Sequence, residues 1–364
     1  MIDTLSPQLP PSEGALEPGT SIQSFGVVGA GLMASQLALL FAHKLHIPVL
    51  ISDLSEDRVS AALHRIRQLL DRQEAKGKLA AGEAAEVADL IRGTTNPADF
   101  RNHDAAIEAV FENQTAKRSV FRQLETTVPS EALLLTNTSS LSVTAMARGL
   151  KHPDRVLGFH FFNPVATLPL IELVRTQFSS DAAIHAAQGL ATALGKTAVP
   201  VADHSGFVVN RLLTRMFSVI LTEVDKSGDP ASVDRSLEPW QLPMTPLRLI
   251  SYIGPRVQQH ICDTLHRAYP DRFARSASLE ALVAAGLPGF FDEHGEILPA
   301  AQIPPAEPYE VDGARIRQRV NDALVHEARL LLEENVIGSW DDIDRCMVLG
   351  ANFPKGGLSR LLTI

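Results

Sequence analysis

The chain is short of cysteine, tyrosine and tryptophan, and nowhere does it stay apolar for long. Two cysteines, Cys262 and Cys346, are spread through 364 residues. They are far apart and lack CxxC spacing, so no disulfide framework organises the chain and a reducing compartment is expected. No run reaches the ~18 apolar residues that a membrane span needs. Positive charge is not in excess either. The formal net charge is -9, which argues against nucleic acid as the main partner, because a phosphate backbone calls for a basic surface. Met1 to Thr20 lacks the basic start and apolar core of a signal peptide, and the arginines of a transit peptide. With Pro10, Pro11 and Pro18 beside Asp3, Glu13 and Glu17, residues 1–20 read as a disordered tail, and the expected location is cytoplasmic. No metal site is evident. His43 and His46 lie three apart, but at the end of a helix, where capping or a dipole interaction accounts for them.

What is present is a chain long enough for two or three domains, with 45% apolar residues. From Ser24 the pattern alternates. Phe25–Val28, Pro48–Ser52, Ala105–Val110, Ala132–Thr136, Val156–Phe159, Leu170–Val174 and Thr197–Val201 read as strands. Leu32–Lys44, Glu56–Lys76, Thr115–Thr127 and Ala182–Leu194 read as helices between them. Such alternation implies a mostly parallel sheet covered on both faces. After Asp203 only helices are expected. Phe207–Val224 is apolar almost all round, so it must be buried in a core or at a subunit interface. Helices are also read at Pro246–Ile253, Arg256–Ala268, Leu279–Ala285 and Ile316–Glu334. The Pro- and Gly-rich stretch 286–312 reads as a long connection. Domain breaks are therefore expected near residues 203 and 300.

Gly29-Ala30-Gly31-Leu32-Met33-Ala34 follows a strand and opens a helix, the context in which G-x-G-x-x-G/A has meaning. Gly29 permits the tight turn, and Gly31 lets backbone approach a pyrophosphate seated on the helix N-terminus with Leu32 and Met33. Asp53, about 20 residues on at the end of the second strand, suits a ribose-binding carboxylate. It would repel a 2′-phosphate, so NAD is expected rather than NADP.

Three polar clusters then fall at strand ends: Glu108-Ala-Val-Phe-Glu112-Asn113, Asn137-Thr138-Ser139-Ser140-Leu141-Ser142, and Gly158-Phe159-His160-Phe161-Phe162-Asn163-Pro164. Glu172 follows twelve positions after the histidine. Oxidation of an alcohol by NAD needs a base near neutral pH, an orienting carboxylate and a hydroxyl donor. His160, Glu172 and Ser139 supply those residue types, although spacing alone leaves open that His160 is a core residue and the NTSS run a helix cap.

Taken together, GAGLMA, EAVFEN, NTSSLS, GFHFFNPV and GFVVNR (Gly206 to Arg211) resemble the 3-hydroxyacyl-CoA dehydrogenase family, from about Phe25 to Pro255 and more weakly beyond. The resemblance implies an α/β fold: a Rossmann-type, mostly parallel sheet over 21–203, an all-α C-terminal domain over 204–300, and a shortened second helical copy over 301–364. It implies His160 as general base toward a 3-hydroxyl, Glu172 as its orienting carboxylate, Ser139 on the substrate oxygen, and Asn210 positioning the substrate carbonyl and the histidine. It implies that Glu112, Lys117, Asn137 and Asn163 approach the cofactor and that Lys76 approaches the CoA end. An acyl-CoA substrate, a homodimer, and association with a thiolase or hydratase of β-oxidation follow from the same resemblance. Leu349 to Gly357 and the segment around Glu327 resemble a second C-terminal copy, as in the dehydrogenase part of the multifunctional β-oxidation enzyme, with no upstream hydratase counterpart here. Thr245 stands where the family has Gly, and His204-Ser205 where a Pro often precedes the Gly. Two alternatives stay open: a related hydroxy-acid or sugar-acid dehydrogenase that does not require CoA, and a non-catalytic assembly subunit.

Overall fold

The structure is a computed structural model that describes residues 22–292, 294–298 and 309–360. The tail expected over residues 1–20 lies outside the described residues. The first half is built of eight short strands: β1 (Phe25–Val28), β2 (Val49–Ser52), β3 (Ile91–Thr94), β4 (Ala105–Glu108), β5 (Leu133–Thr136), β6 (Val156–Phe161), β7 (Leu170–Arg175) and β8 (Thr197–Ala202). Between them run α1 (Leu32–Leu45), α2 (Glu56–Ala75), α3 (Glu83–Asp89), α4 (Gln114–Thr127), α5 (Val143–Ala147) and α6 (Asp181–Ala193). The strands form one sheet in the order β3-β2-β1-β4-β5-β6-β7-β8. All neighbours are parallel except β6 and β7. The expected mostly parallel, Rossmann-type sheet is therefore present. Its strands are nearly continuous apolar runs because helices cover both faces. β4 and β5 are buried along their whole length.

Sequence reading passed over α3 and β3. β3 is an edge strand, Ile-Arg-Gly-Thr, with only Ile91 buried, so it carries no apolar run to recognise.

β1 lies between β2 and β4, so the chain reverses its direction of travel across the sheet there. In such sheets the crevice beyond the strands' carboxyl ends receives the ligand. The turn after β1 occupies that position. Gly29 has φ 113°, and a Cβ on it would lie 2.6 Å from the Ala109 carbonyl oxygen at the end of β4, so glycine is required twice over.

The second half is helical: α7 (Val209–Ser227), α8 (Pro230–Arg235), α9 (Pro246–Ile253), α10 (Pro255–Ala268), α11 (Ala277–Ala284), α12 (Gly313–Glu333) and α13 (Trp340–Ala351). α7 starts two residues later than its apolar pattern suggests. Gly206 and Phe207 have φ 75° and 47°, a left-handed turn that delays the helix. The burial of α7 is as its composition requires, with α12 and α13 packed against it. One hydrophobic core runs from β5, β6, β7 and β8 through α7 and α9 into α12 and α13. Asp203, in the connection from β8 to α7, accepts the Val143 and Thr144 amides at 3.0 and 2.7 Å and the Ser142 hydroxyl at 2.8 Å. It thereby caps α5 from 60 residues away and ties the helical half to the sheet. No helix among the described residues is long and apolar enough to cross a membrane.

Candidate active site

His160 and Glu172 are cross-strand partners in the antiparallel pair β6–β7. That register places the imidazole Nδ1 2.7 Å from Glu172 Oε2. Glu172 is fully buried and His160 5% exposed. A buried carboxylate must be satisfied. Its second oxygen, Oε1, accepts the amides of Val208 and Val209 at 3.1 and 2.9 Å, from the start of α7. The histidine ring packs against Phe162 and Phe207, with centroids at 4.5 and 5.7 Å. The pair is thus fixed by β7, by the first turn of α7 and by two aromatic rings.

The Asn137–Ser142 segment leaves β5 beside this pair. Asn210, in the first turn of α7, donates from Nδ2 to the Ser139 carbonyl at 3.2 Å. Asn137 Oδ1 accepts the Phe161 amide at 2.9 Å, bridging β5 to β6. Glu112 Oε1 accepts the Thr138 hydroxyl at 2.5 Å and the Ser139 amide at 3.1 Å, and lies 3.4 Å from Ser139 Oγ. Glu112 is in turn held by Lys117, whose ammonium is 3.2 Å from Oε2. Burial alone would push the Glu112 carboxyl up, but Lys117 and the Thr138 and Ser139 hydrogen bonds outweigh it and leave the carboxyl below its usual range. Lys117 is 1% exposed. It also bonds Glu108 at 2.8 and 3.0 Å and the Val110 carbonyl at 3.3 Å.

Two cavities meet at the first turn of α1. One, of about 430 Å³, is lined by the polar residues Gln36, Ser139, His160, Asn163, Asn210 and Asn352 and mostly by apolar ones such as Leu213, Met216, Leu249 and Phe353. The other, of about 860 Å³, runs over Gly29, Ala30, Gly31, Ser52, Asp53, Ala109 and Val110. Leu32 and Met33 line both. Asp53 Oδ2 accepts the Ala30 amide at 3.0 Å, and Oδ1 takes an Arg58 guanidinium at 3.3 Å.

These features fit a dinucleotide. The Gly31 N-cap of α1 makes no side-chain cap, and a Cβ on Gly31 would meet nothing within 4 Å. The helix N-terminus is therefore open to a phosphate. Leu54 and Phe111 line the same cavity while 95% and 71% exposed, apolar flanks suited to a flat base.

Of the residues singled out from sequence, Ser139, His160, Asn163 and Asn210 face the first cavity, with Glu172 directly behind the histidine. Gly29, Gly31, Leu32, Met33 and Asp53 face the second. Glu112, Lys117 and Asn137 line neither and instead brace the segments that do. Lys76 is the exposed C-cap of α2 and lines neither cavity. Sequence reasoning named Glu108 at the head of a cluster but gave it no role; it is the buried partner of Lys117 and also accepts the Thr136 hydroxyl at 2.7 Å. Its place at the end of an apolar strand within EAVFEN was the available signal. Arg65 was passed over. It donates to the Ala30 carbonyl at 2.5 Å and lines the second cavity. No cluster of metal-ligating side chains occurs among the described residues.

Comparison with known proteins identifies two family matches. The family described as 3-hydroxyacyl-CoA dehydrogenase, NAD binding domain, matches residues 24–204, and its C-terminal domain matches 206–293. The fatty acid oxidation complex subunit alpha of Psychrobacter cryohalolentis is 30% identical over 94% of this chain and 50% of its own length. The chain thus spans about half the length of the curated relatives it matches. The crystal structure of (S)-3-hydroxybutyryl-CoA dehydrogenase from Ralstonia eutropha is 31% identical with a TM-score of 0.68, over 73% of this chain and 95% of that one. An Escherichia coli 3-hydroxybutyryl-CoA dehydrogenase shares the fold, with a TM-score of 0.81 at 24% identity over 94% and 92% of the two chains.

Proposed function

The chain belongs to the 3-hydroxyacyl-CoA dehydrogenase family, and on that footing we propose that it is an NAD-dependent dehydrogenase that converts an L-3-hydroxyacyl-CoA to the 3-ketoacyl-CoA with His160 as general base. The observation that carries the proposal is the His160–Glu172 contact at the wall of a mostly apolar cavity that adjoins the second cavity at Leu32 and Met33.

Glu172 accepts from Nδ1, which leaves Nε2 with the lone pair to take the proton of the 3-hydroxyl. When bound, NAD supplies the acceptor for the hydride that leaves the same carbon. The imidazolium that results keeps its charge partner, because Glu172 is locked by two backbone amides and cannot swing away. Ser139 Oγ has only a long contact to Glu112 and is available to hold the substrate oxygen. Asn210 acts in this reading by holding the Ser139 main chain against the cavity. Glu112, Lys117 and Asn137 are proposed to act through the loops they brace and Asn163 directly from the cavity wall, while Lys76 is kept as a surface contact for the CoA end.

The cavity's mostly apolar lining favours an acyl chain over a small free hydroxy acid, whose carboxylate would find no lysine or arginine among the lining residues. The relatives' name refers to a fatty acid oxidation complex. The proposed setting is therefore β-oxidation, with a hydratase forming the substrate and a thiolase consuming the product, and a homodimer as the working assembly.

The test is NADH consumption at 340 nm with acetoacetyl-CoA and a long-chain 3-ketoacyl-CoA, beside free acetoacetate and an NADPH control. Turnover of CoA esters with NADH is expected. The His160→Gln variant should lose about 10²–10⁴ in kcat while NADH binding stays near wild type. Undiminished turnover in that variant would sink the assignment of the base.

A further inference from the structure

The helical segment after residue 309 lies beyond both family matches, yet Gly350, Ala351, Asn352 and Phe353 line the catalytic cavity. We propose that this end of α13 is the wall that sets acyl-chain length, with Phe353 as its limiting side chain. The inference rests on the acyl-CoA reading above.

Local sequence explains how the wall forms. α13 ends at Asn352, in the left-handed conformation with φ 52°, and Pro354 blocks continuation. The Phe353 amide closes the end by donating six positions back to the Met347 carbonyl at 3.1 Å, which turns this apolar residue back toward the helix. Phe353 is accordingly 5% exposed although it borders open space. Most of its ring packs into the core, and the surface that remains borders the cavity.

The approach of α13 to the site depends on Gly350. A Cβ there would lie 2.5 Å from Leu170 Cδ2, 3.2 Å from Val209 Cγ2 and 3.5 Å from Phe162 Cε2. Those three residues sit on β7, at the start of α7, and against the His160 ring. The helix end therefore packs directly on the elements that hold His160 and Glu172. The chain beyond it is pinned as well. Asp344 accepts the Leu358 and Ser359 amides at 2.7 and 3.1 Å and the Ser359 hydroxyl at 2.5 Å. A wall anchored at both ends yields little to a longer chain, and a pocket of fixed length discriminates among chains by what it excludes.

The experiment measures kcat/KM for a series of 3-ketoacyl-CoA esters from four to sixteen carbons, as a ratio to acetoacetyl-CoA, in wild type, Phe353→Ala and Phe353→Leu. Both variants should shift the ratio toward longer chains by about tenfold at the first length that wild type disfavours, whatever their absolute rate on acetoacetyl-CoA. Leu should shift it less than Ala, because it restores part of the volume. A purely packing role would lower the melting temperature and leave the ratio as in wild type, and that result would overturn the proposal. Failure of the wild-type protein on every ester would remove the acyl-CoA reading itself, an outcome distinct from an unshifted ratio in active variants.

Discussion

Glu112 is the most heavily committed of the site's partly exposed carboxylates. It holds Lys117 on one oxygen and the Thr138–Ser139 turn on the other. Its folded-state pKa lies below the ordinary 4.5. A depressed carboxylate contributes stability that is present above its unfolded pKa and is lost as pH falls through its folded one. The wild-type protein should therefore lose melting temperature below about pH 4.5 more steeply than Glu112→Gln. The gap between the two proteins should be widest at neutral pH and narrow on acidification. Parallel melting curves from pH 7 to pH 3 would contradict this account. The glycines of the first turn, Asp53, Ser139 and His160, which line the two cavities, were legible in the sequence as a set of motifs at strand ends. The braces were not. That Lys117 is buried between Glu108 and Glu112, and so stands behind the cavities, depends on α4 folding back over β4. No spacing rule encodes that.

At the scale of elements, α7 and α12 are joined by a buried ionic cluster. Arg211 Nε donates to Glu327 at 2.5 Å and Nη1 to Glu334 at 2.7 Å. Arg272 reaches both carboxylates at 3.2 Å. The Tyr269 ring lies 4.7 Å from the Arg211 guanidinium carbon and 4.0 Å from that of Arg272. Burial works against the Arg211 charge, but the two glutamates outweigh it and raise its pKa. The Arg211 and Glu327 side chains are both fully buried. Removing Glu327 leaves two guanidiniums facing one carboxylate, an uncompensated buried charge that costs about 3–5 kcal/mol, whereas replacing a pair with apolar residues of similar volume is often neutral. Glu327→Ala should therefore lower unfolding stability by about that amount in urea, and Arg211→Met with Glu327→Leu should recover most of it. A double variant no more stable than the single one would mean that the cluster acts through packing and not through charge. Arg211 was visible in sequence only as part of GFVVNR, since its partners lie more than 100 residues away. α13 was legible as a motif and not as a helix, because its acidic first turn, Asp341 and Asp342, interrupts the apolar period.

For the whole molecule, the question is whether the sheet and the helices beyond it melt as one. Sequence reading put breaks near residues 203 and 300, where strands cease and where Pro and Gly gather; the last strand does end at Ala202, and residue 300 lies outside the described residues. Packing crosses them. The core that includes Leu134, Val156 and Leu170 of the sheet continues without interruption through α7 to Val320, Leu324 and Met347. Asp203 caps a helix in the first half, and the Ala202 amide donates to the Val336 carbonyl at 2.8 Å. A continuous core of this kind gives the parts no separate stability to express. NADH binds the folded chain alone, so at one hundred times its dissociation constant it adds about 2.7 kcal/mol to whatever unfolds with the site. Calorimetry should show a single transition that moves upward whole when NADH is added. Two transitions, of which only the lower or the upper responds, would mean that α12 and α13 are a separately stable unit. The acyl wall proposed for α13 would then be joined to His160, the proposed base, by contact alone, not by a shared folding transition.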